Sequence, residues 1–415
     1  MIRISARETT EAVNYFYISW HIPSIFLKRM AILTGFVLLA DGLWSRQESE
    51  WLMDIECYDD LTGEQIHEWR EFVASCQHQH PRQDPRFADV ERAIGGTVVF
   101  AIARRQGEIC AVGLFSLYRS RILVGRYSVA LALSGPICDD PETLTEFVVA
   151  VSGHTRFAKV DAIKVTPYWL DDDADQLHQR FTQAGLEITD PAPHRDTGLI
   201  DLDRSLDELR SSFSRSARRN LRNIEATDVE IRHITSPDQI AVFFDCLNAL
   251  VIKPNNLTPV TRPEYEAGFQ NVYNDPEAGV LFTAYHQDTF LGGFLLYRSR
   301  ITAFARRFVA DPAAASLIGN LRIAPLLWLR GMKWAMEQGC TNLDVEGYLP
   351  DIDRSHPDFS VLEYKTYFKP RPVRRVAEHT LVTHRLFHQA NVVPSQLKQV
   401  ARRGVRAAQA LTKSG

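Results

Sequence analysis

Three groups of side chains in this sequence are of the right type and spacing to act on one reaction. The first is Lys365, set between Tyr364 and Tyr367 in the string LEYKTYFKP at 362–370. The second is the carboxylate pair Asp344 and Glu346 in LDVEGY at 343–348. The third is Arg215, Arg218, Arg219 and Arg222, whose spacing of i, i+3, i+4 and i+7 forms one stripe on a helix. Moving an acyl group from an ester or thioester to an amine needs such parts. One group takes the proton of the amine, another stabilises the developing oxyanion, and a third grips phosphate on the donor or acceptor.

Lys365 would place a cation near the acyl carbonyl or the leaving oxygen, where charge exists only in the transition state. Asp344 and Glu346 read as alternate residues at a strand end, so both carboxylates point to one face and either could hold or deprotonate the amine. Four arginines suit bidentate phosphate contact, and Arg322 and Tyr367 join them as substrate-binding candidates. Tyr364 could donate to a carbonyl. Each group also has a plainer reading. A lysine can merely solvate a strand, alternating aromatics can pack a core or rim, strand-end carboxylates can face water or pair with Arg322, and a charge run can be a solvated helix face.

Other chemistries find less support. The chain has 13 histidines, but none lies in an HExxH context, no GxSxG string is present, and His154, His194 and His233 have no nucleophile at a readable spacing. The six cysteines, Cys57, Cys76, Cys110, Cys138, Cys246 and Cys340, form no CxxC pair and no metal-ligand spacing. No metal is therefore expected, and the thiols read as reduced and cytoplasmic. A glycine-rich pyrophosphate loop would cradle phosphate at a helix start. The string DPAAASLIGNLRIAP at 311–325 offers only Gly319, so the signal for acetyl-CoA is poor.

An internal repeat supplies the elements that position these groups. VVFAIARRQGEICAVGLFSLYRSRI from Val98 and VLFTAYHQDTFLGGFLLYRSRI from Val280 share an apolar strand, a polar turn, a glycine-containing strand and the pentapeptide YRSRI. Both alternate with a period near two around the turns Gln106-Gly107 and Gln287-Asp288, which predicts two β-hairpins. Third strands follow at 126–133 and 301–309. Amphipathic helices come next at 141–155 and 325–338, with Pro in the first turn of each and Gly339 after the second. Strands at 162–167 and 342–346 close the units, and helices at 62–75 and 237–251 precede the hairpins. This order is that of the acyltransferase fold in which a mixed sheet splays open around the acyl donor. The predicted class is α/β with mixed sheets, in two tandem copies.

Four strings resemble the Fem family of aminoacyltransferases. SGPICDD at 134–140 is similar to its glycine-proline turn. TGLIDLDRSLDELRSSFSRSARRNLRNIEATDVEI at 197–231 is similar to its strand, helix, arginine-rich stretch and short strand. LDVEGY with LEYKTYFKP is similar to its aspartate-glycine strand end and terminal Lys-x-x-Phe-Gly element. The resemblance spans about 54–380 in element order. It implies two tandem GNAT-like acyl-CoA N-acyltransferase domains, a functional lysine at Lys365, and no cofactor beyond the donor substrate. The donor it implies is aminoacyl-tRNA, and the acceptor an amine of a nucleotide- or lipid-linked peptidoglycan precursor. Lys369 departs from the pattern, standing where the family has glycine. The long helical arm of some members is missing.

With 415 residues and 45% of them hydrophobic, the chain is long enough for two cores. The expected organisation is an extension at 1–52 that an upstream-misread start would explain, a first unit at 53–203, a second at 204–370 and a tail at 371–415. The apolar run at 31–43 contains Asp41 and is too short to span a bilayer, and the residues before it do not read as a signal peptide. A net charge of -4 and a charged fraction of 24% give no global nucleic-acid signature. The tail differs, with Arg371, Arg374, Arg375, Arg385, Lys398, Arg402, Arg403, Arg406 and Lys413 against Glu378 alone. Leu397, Val400, Ala401, Ala408 and Leu411 share a helical face there, which suits an anionic membrane surface or RNA. Two other functions fit the residues: an acyl-CoA-dependent N-acyltransferase modifying polysaccharide or lipid, and a non-catalytic tandem fold that binds a polyanion.

Overall fold

The computed structural model describes residues 53–122, 125–190, 196–234, 236–254, 257–349, 359–386 and 388, all within one compact unit that begins at Met53. The expected extension at 1–52 and the basic face from Leu397 to Lys413 lie outside the described residues. In chain order the first half holds β1 (Asp54–Tyr58), α1 (Gly63–Ser75), α2 (Phe87–Ala93), β2 (Thr97–Arg105), β3 (Glu108–Ile122), β4 (Gly125–Ala132), α3 (Pro141–Gly153), β5 (Ala162–Val165), α4 (Asp171–Gln183) and β6 (Glu187–Asp190). The second half begins with β7 (Asp196–Asp201), α5 (Leu206–Ser212), α6 (Arg215–Ile224), β8 (Val229–His233), α7 (Pro237–Leu247) and α8 (Arg262–Gly268). It continues with β9 (Gly279–His286), β10 (Thr289–Arg298), β11 (Thr302–Ala310), α9 (Ala324–Glu337), β12 (Asn342–Asp344), α10 (Phe359–Glu363), β13 (Arg371–Arg374) and β14 (Glu378–Val382).

Local chemistry explains the repeated parts. The β2–β3 turn needs positive φ at both central residues, and Gln106 (52°) with Gly107 (85°) supplies it. Gln287 (54°) opens the matching β9–β10 turn. The Asp140 side chain accepts from Thr143 N at 2.7 Å to cap α3, with Pro141 in the first turn. Gly339, at φ 78°, follows the end of α9. The shared pentapeptides diverge: 118–122 stay in β3, whereas β10 ends at Arg298 and Ser299 turns back to Thr302.

Two seven-stranded mixed sheets result, ordered β1-β2-β3-β4-β5-β14-β6 and β13-β7-β12-β11-β10-β9-β8. Their membership differs from a simple cut of the chain. The expected boundary at 203/204 leaves the strand 196–201 with the first unit, but β7 pairs with β12 and β13 in the second sheet, where Leu343 lies opposite Ile200. The expected tail at 371–415 instead opens with two strands, and β14 crosses back to pair with β5 and β6. Strand partners lie far apart in sequence, so local pattern does not reveal which sheet a strand joins.

The parallel pair that ends each unit behaves differently in the two halves. In the first sheet β4 and β5 pair through Ala132 and Val165. Beyond them the gap is laced by Thr166, whose N–H faces the carbonyls of Ala132 and Gly135 and whose hydroxyl accepts from Ser134 N at 2.7 Å. In the second sheet β11 pairs with β12 only over Thr302–Phe304, then runs on to Ala310. The chain after β12 follows β7 instead, with Val345 N to Gly198 O at 2.9 Å and Tyr348 N to Asp196 O at 3.0 Å. Only the second sheet therefore opens into a wedge.

Candidate functional site

The wedge is closed from below by a tight turn that the sequence pattern misreads. Alternating aromatics predict a strand around Lys365, but 359–363 is helical and Tyr364–Phe368 forms a 3₁₀ turn. Leu362, Lys365 and Phe368 are buried together because they recur every third residue. Phe368 and Phe294 stack on the two sides of Trp328, each with centroids 4.7 Å away, and Tyr364 packs on Phe308 at 5.2 Å. Offset aromatic pairs add about 0.5–1.5 kcal/mol each beyond area burial, so the turn is held firmly. Lys369 ends it at φ 51°. The left-handed backbone there explains why glycine suits this position and why lysine is strained.

Lys365 is 7% exposed. Its ammonium donates to the backbone carbonyls of Glu346 and of Gly347, the latter at 2.9 Å. Burial lowers its pKa to about 8, against the opposing pull of Glu346 and Asp344. An ammonium has three N–H donors, and these two carbonyls take two of them.

The two carboxylates do not share a face as the alternation predicted. Asp344 ends β12 with no exposure at all. Glu346 lies beyond the strand at φ 46°, followed by Gly347 at 66°, so strand alternation no longer applies. Asp344 accepts from Tyr168 Oη at 2.7 Å, from the Thr197 hydroxyl, and from Glu346 N at 2.7 Å. Burial raises its pKa; Arg375 and these donors lower it. The Glu346 carboxylate turns elsewhere and pairs with Arg306 Nη1 at 3.1 Å. Tyr364 carries a phenol whose pKa burial raises well above the ordinary range.

Arg306 leads to a site the sequence reading missed. Leu295 pairs with Arg307 but Leu296 with Ala305, so Arg306 is an extra residue, a β-bulge in β11. Neighbouring strand residues normally face opposite ways. Here Arg306 and Arg307 both line a cavity of about 210 Å³ between the halves, together with Arg82, Glu91, Tyr118 and Tyr297. The last two are the equivalent tyrosines of the repeated pentapeptide. Arg82 lies 3.7 Å from Glu91, while Arg307 has no hydrogen bond or ion pair among the described residues. The neighbouring Arg306 charge, followed by burial, lowers the Arg307 pKa to about 10. Three guanidinium groups thus face one space, with Glu91 and Glu264 also in its lining and Glu346 on Arg306. The detectable sequence signal was the Arg-Arg pair inside the apolar strand TAFARRFVA.

The arginine stripe is partly as expected. Arg215, Arg219 and Arg222 are exposed on α6, but Arg218 folds back onto the carbonyls of Ser211 (2.6 Å) and Phe213 (2.7 Å) and leaves the stripe. The helix is docked against the wedge at two points. Ser214 N donates to Tyr367 O at 2.8 Å, and the Asn220 amide clasps Arg322, accepting its N–H at 2.9 Å and donating to its carbonyl. The Arg322 side chain meets the Tyr367 hydroxyl rather than a carboxylate, with its guanidinium 5.5 Å from that ring. Among the described residues no group of His, Cys, Asp and Glu is arranged to hold a metal ion, and no helix is long and apolar enough to cross a membrane.

Residues 211–352 match a domain family described as Acetyltransferase (GNAT) domain. No curated protein matches the chain. Among solved structures it is similar to FemX, at 15% identity and a TM-score of 0.68 over 80% of this chain and 99% of that one. It is also similar to a tandem GNAT protein from the clavulanic acid biosynthesis pathway, at 12% identity and a TM-score of 0.48 over 80% and 98%. The chain carries a tandem GNAT acyltransferase fold of the Fem type.

Proposed function

We propose that the chain transfers an aminoacyl group from aminoacyl-tRNA to an amine of a phosphorylated cell-wall precursor, with the second unit as its catalytic half. One observation carries this reading: Arg306 lines the cavity between the halves and also holds Glu346, whose carbonyl holds Lys365. An acceptor gripped through its phosphate by Arg82, Arg306 and Arg307 would present its amine toward Glu346. A donor entering the wedge would lay its ester carbonyl near the third N–H of Lys365 and its phosphates toward Arg215, Arg219, Arg222 and Arg322. Tyr367 orients Arg322, and Tyr364 walls the acyl group.

In the reaction the amine nitrogen bonds to the acyl carbon and the carbon–oxygen ester bond breaks. Glu346 takes the amine proton, the Lys365 cation stabilises the oxyanion, and the leaving hydroxyl is protonated from water. Asp344, saturated by three donors, serves the architecture instead. The GNAT domain match favours a second reading with an acyl-CoA donor. The purified chain, given radiolabelled aminoacyl-tRNA or acetyl-CoA with a nucleotide-linked precursor, separates them. Label should pass from the tRNA and be lost in Lys365→Ala; transfer from the thioester alone overturns the tRNA reading.

A further inference from the structure

We propose that Tyr168, from the first half of the chain, is a positioning residue for the Lys365 site, acting through Asp344. The proposal rests on Lys365 being a working residue of the transfer reaction. The contacts form one chain. Tyr168 Oη donates to Asp344 Oδ2 at 2.7 Å. The other oxygen, Oδ1, accepts Glu346 N at 2.7 Å and the Thr197 hydroxyl. The bond to Glu346 N fixes the left-handed pair Glu346 and Gly347, and the carbonyls of that pair hold the Lys365 ammonium.

Two features distinguish this chain from ordinary packing. A wholly buried carboxylate is costly unless its lone pairs are filled, and here the donors come from Tyr168 after β5, Thr197 on β7 and the turn itself. Val345 N to Gly198 O and Tyr348 N to Asp196 O hold the two ends of the turn, and Asp344 is the group that engages the Glu346 N–H at its centre. Glu346 is not glycine, and a non-glycine left-handed residue costs roughly 1 kcal/mol, which the Asp344 bond to Glu346 N helps to offset together with the Arg306 ion pair. The charged groups around the lysine are Asp344 and Glu346, with Arg306 paired to Glu346 and Arg375 over the Tyr168 ring at 5.1 Å. If Tyr168 no longer held Asp344, the turn would loosen and Lys365 would reach water. The first half, whose own wedge is laced shut, would then serve the second by setting this turn.

The test is Tyr168→Phe, which keeps the ring that packs on Phe304 at 5.2 Å and on His80 at 5.5 Å and removes only the donor. Trace labelling of the full chain with acetic anhydride across pH, read by peptide mass spectrometry, reports the titration of Lys365 without any donor substrate. The wild-type midpoint should lie at about 8. In Tyr168→Phe it should rise by about one unit, a tenfold change in the protonation equilibrium, while kcat for transfer falls about tenfold and donor KM stays. Should Tyr168→Phe fail to fold, Thr197→Val removes the other side-chain donor with little change of shape. A variant folded as the wild type with an unmoved midpoint and an unmoved kcat overturns the proposal. A moved midpoint in a protein that transfers label from neither donor would instead sink the catalytic reading and leave the positioning chain standing.

Discussion

Replacing Lys365 by methionine should change stability in opposite ways at neutral and alkaline pH. The lysine titrates at about 8 in the folded chain and at 10.5 when free. At about 1.4 kcal/mol per unit, this difference is a penalty of about 3 kcal/mol for keeping the charged form buried. The sign follows from proton counts. Below pH 8 both folded and unfolded chains carry the proton and the whole penalty stands. Between about 8 and 10.5 the unfolded chain binds more protons than the folded one, so wild-type stability rises with pH through this window. Lys365→Met removes the penalty but leaves the carbonyls of Glu346 and Gly347 without their donor, at about 1–3 kcal/mol each.

At pH 7 the two effects therefore nearly cancel and the variant should lie within about 2 kcal/mol of wild type. At pH 10 the wild type should have gained about 2–3 kcal/mol on it. Urea denaturation of both proteins at the two pH values measures the double difference, in which cysteine and tyrosine titrations common to both chains drop out. Parallel stabilities at pH 7 and 10 would refute the reasoning. They would mean that the ammonium is solvated, and the wedge would then hold no desolvated cation to act on an acyl carbonyl.

Two further outcomes follow from the same geometry. Lys369→Gly should raise stability by about 1 kcal/mol, because φ at this position is 51° and only the side chain makes that conformation costly; a lower urea midpoint would show that Lys369 makes a contact worth more than the strain. Arg215, Arg219 and Arg222 changed together to glutamine should leave the fold intact, since all three are exposed, and should lower the slope of log affinity for tRNA against log salt by about one unit per lost phosphate contact. An unaltered slope would move the donor phosphates to another surface.

The tandem fold was legible because its strongest signals are local. A hairpin announces itself within some twenty residues through period-two alternation and a turn such as Gln106-Gly107, and a repeated hairpin announces a repeated domain. Helix limits followed from Pro141, Pro325 and Gly339 for the same reason. What local pattern cannot convey is a partner chosen at long range. Nothing in the strand 196–201 says that it will pair with 342–344 rather than with the strands before it, and nothing in 378–382 says that it returns to the first sheet.

The site was legible only as far as single motifs reach. Lys365 was singled out, but the 3₁₀ turn around it was read as a strand, although Tyr364 and Tyr367 stand three residues apart. The burial of Leu362, Lys365 and Phe368 at a period of three is the better description, and it needed Trp328 and Phe294 to be visible. The bulge at Arg306 breaks the very alternation by which a sequence is read, so it turned two adjacent arginines into one cavity where the pattern would send one of them away. Asp344 shows the same limit from the other side. Alternation put it beside Glu346 as an equal candidate, whereas the structure buries it against Tyr168, 176 positions earlier. A buried carboxylate is defined by who fills its lone pairs, and in this fold the filling comes from the half of the chain that has no open wedge of its own. The two copies are therefore unequal in a specific way: one keeps an open gap between β11 and β12, and the other contributes the Tyr168 hydroxyl that reaches the buried Asp344.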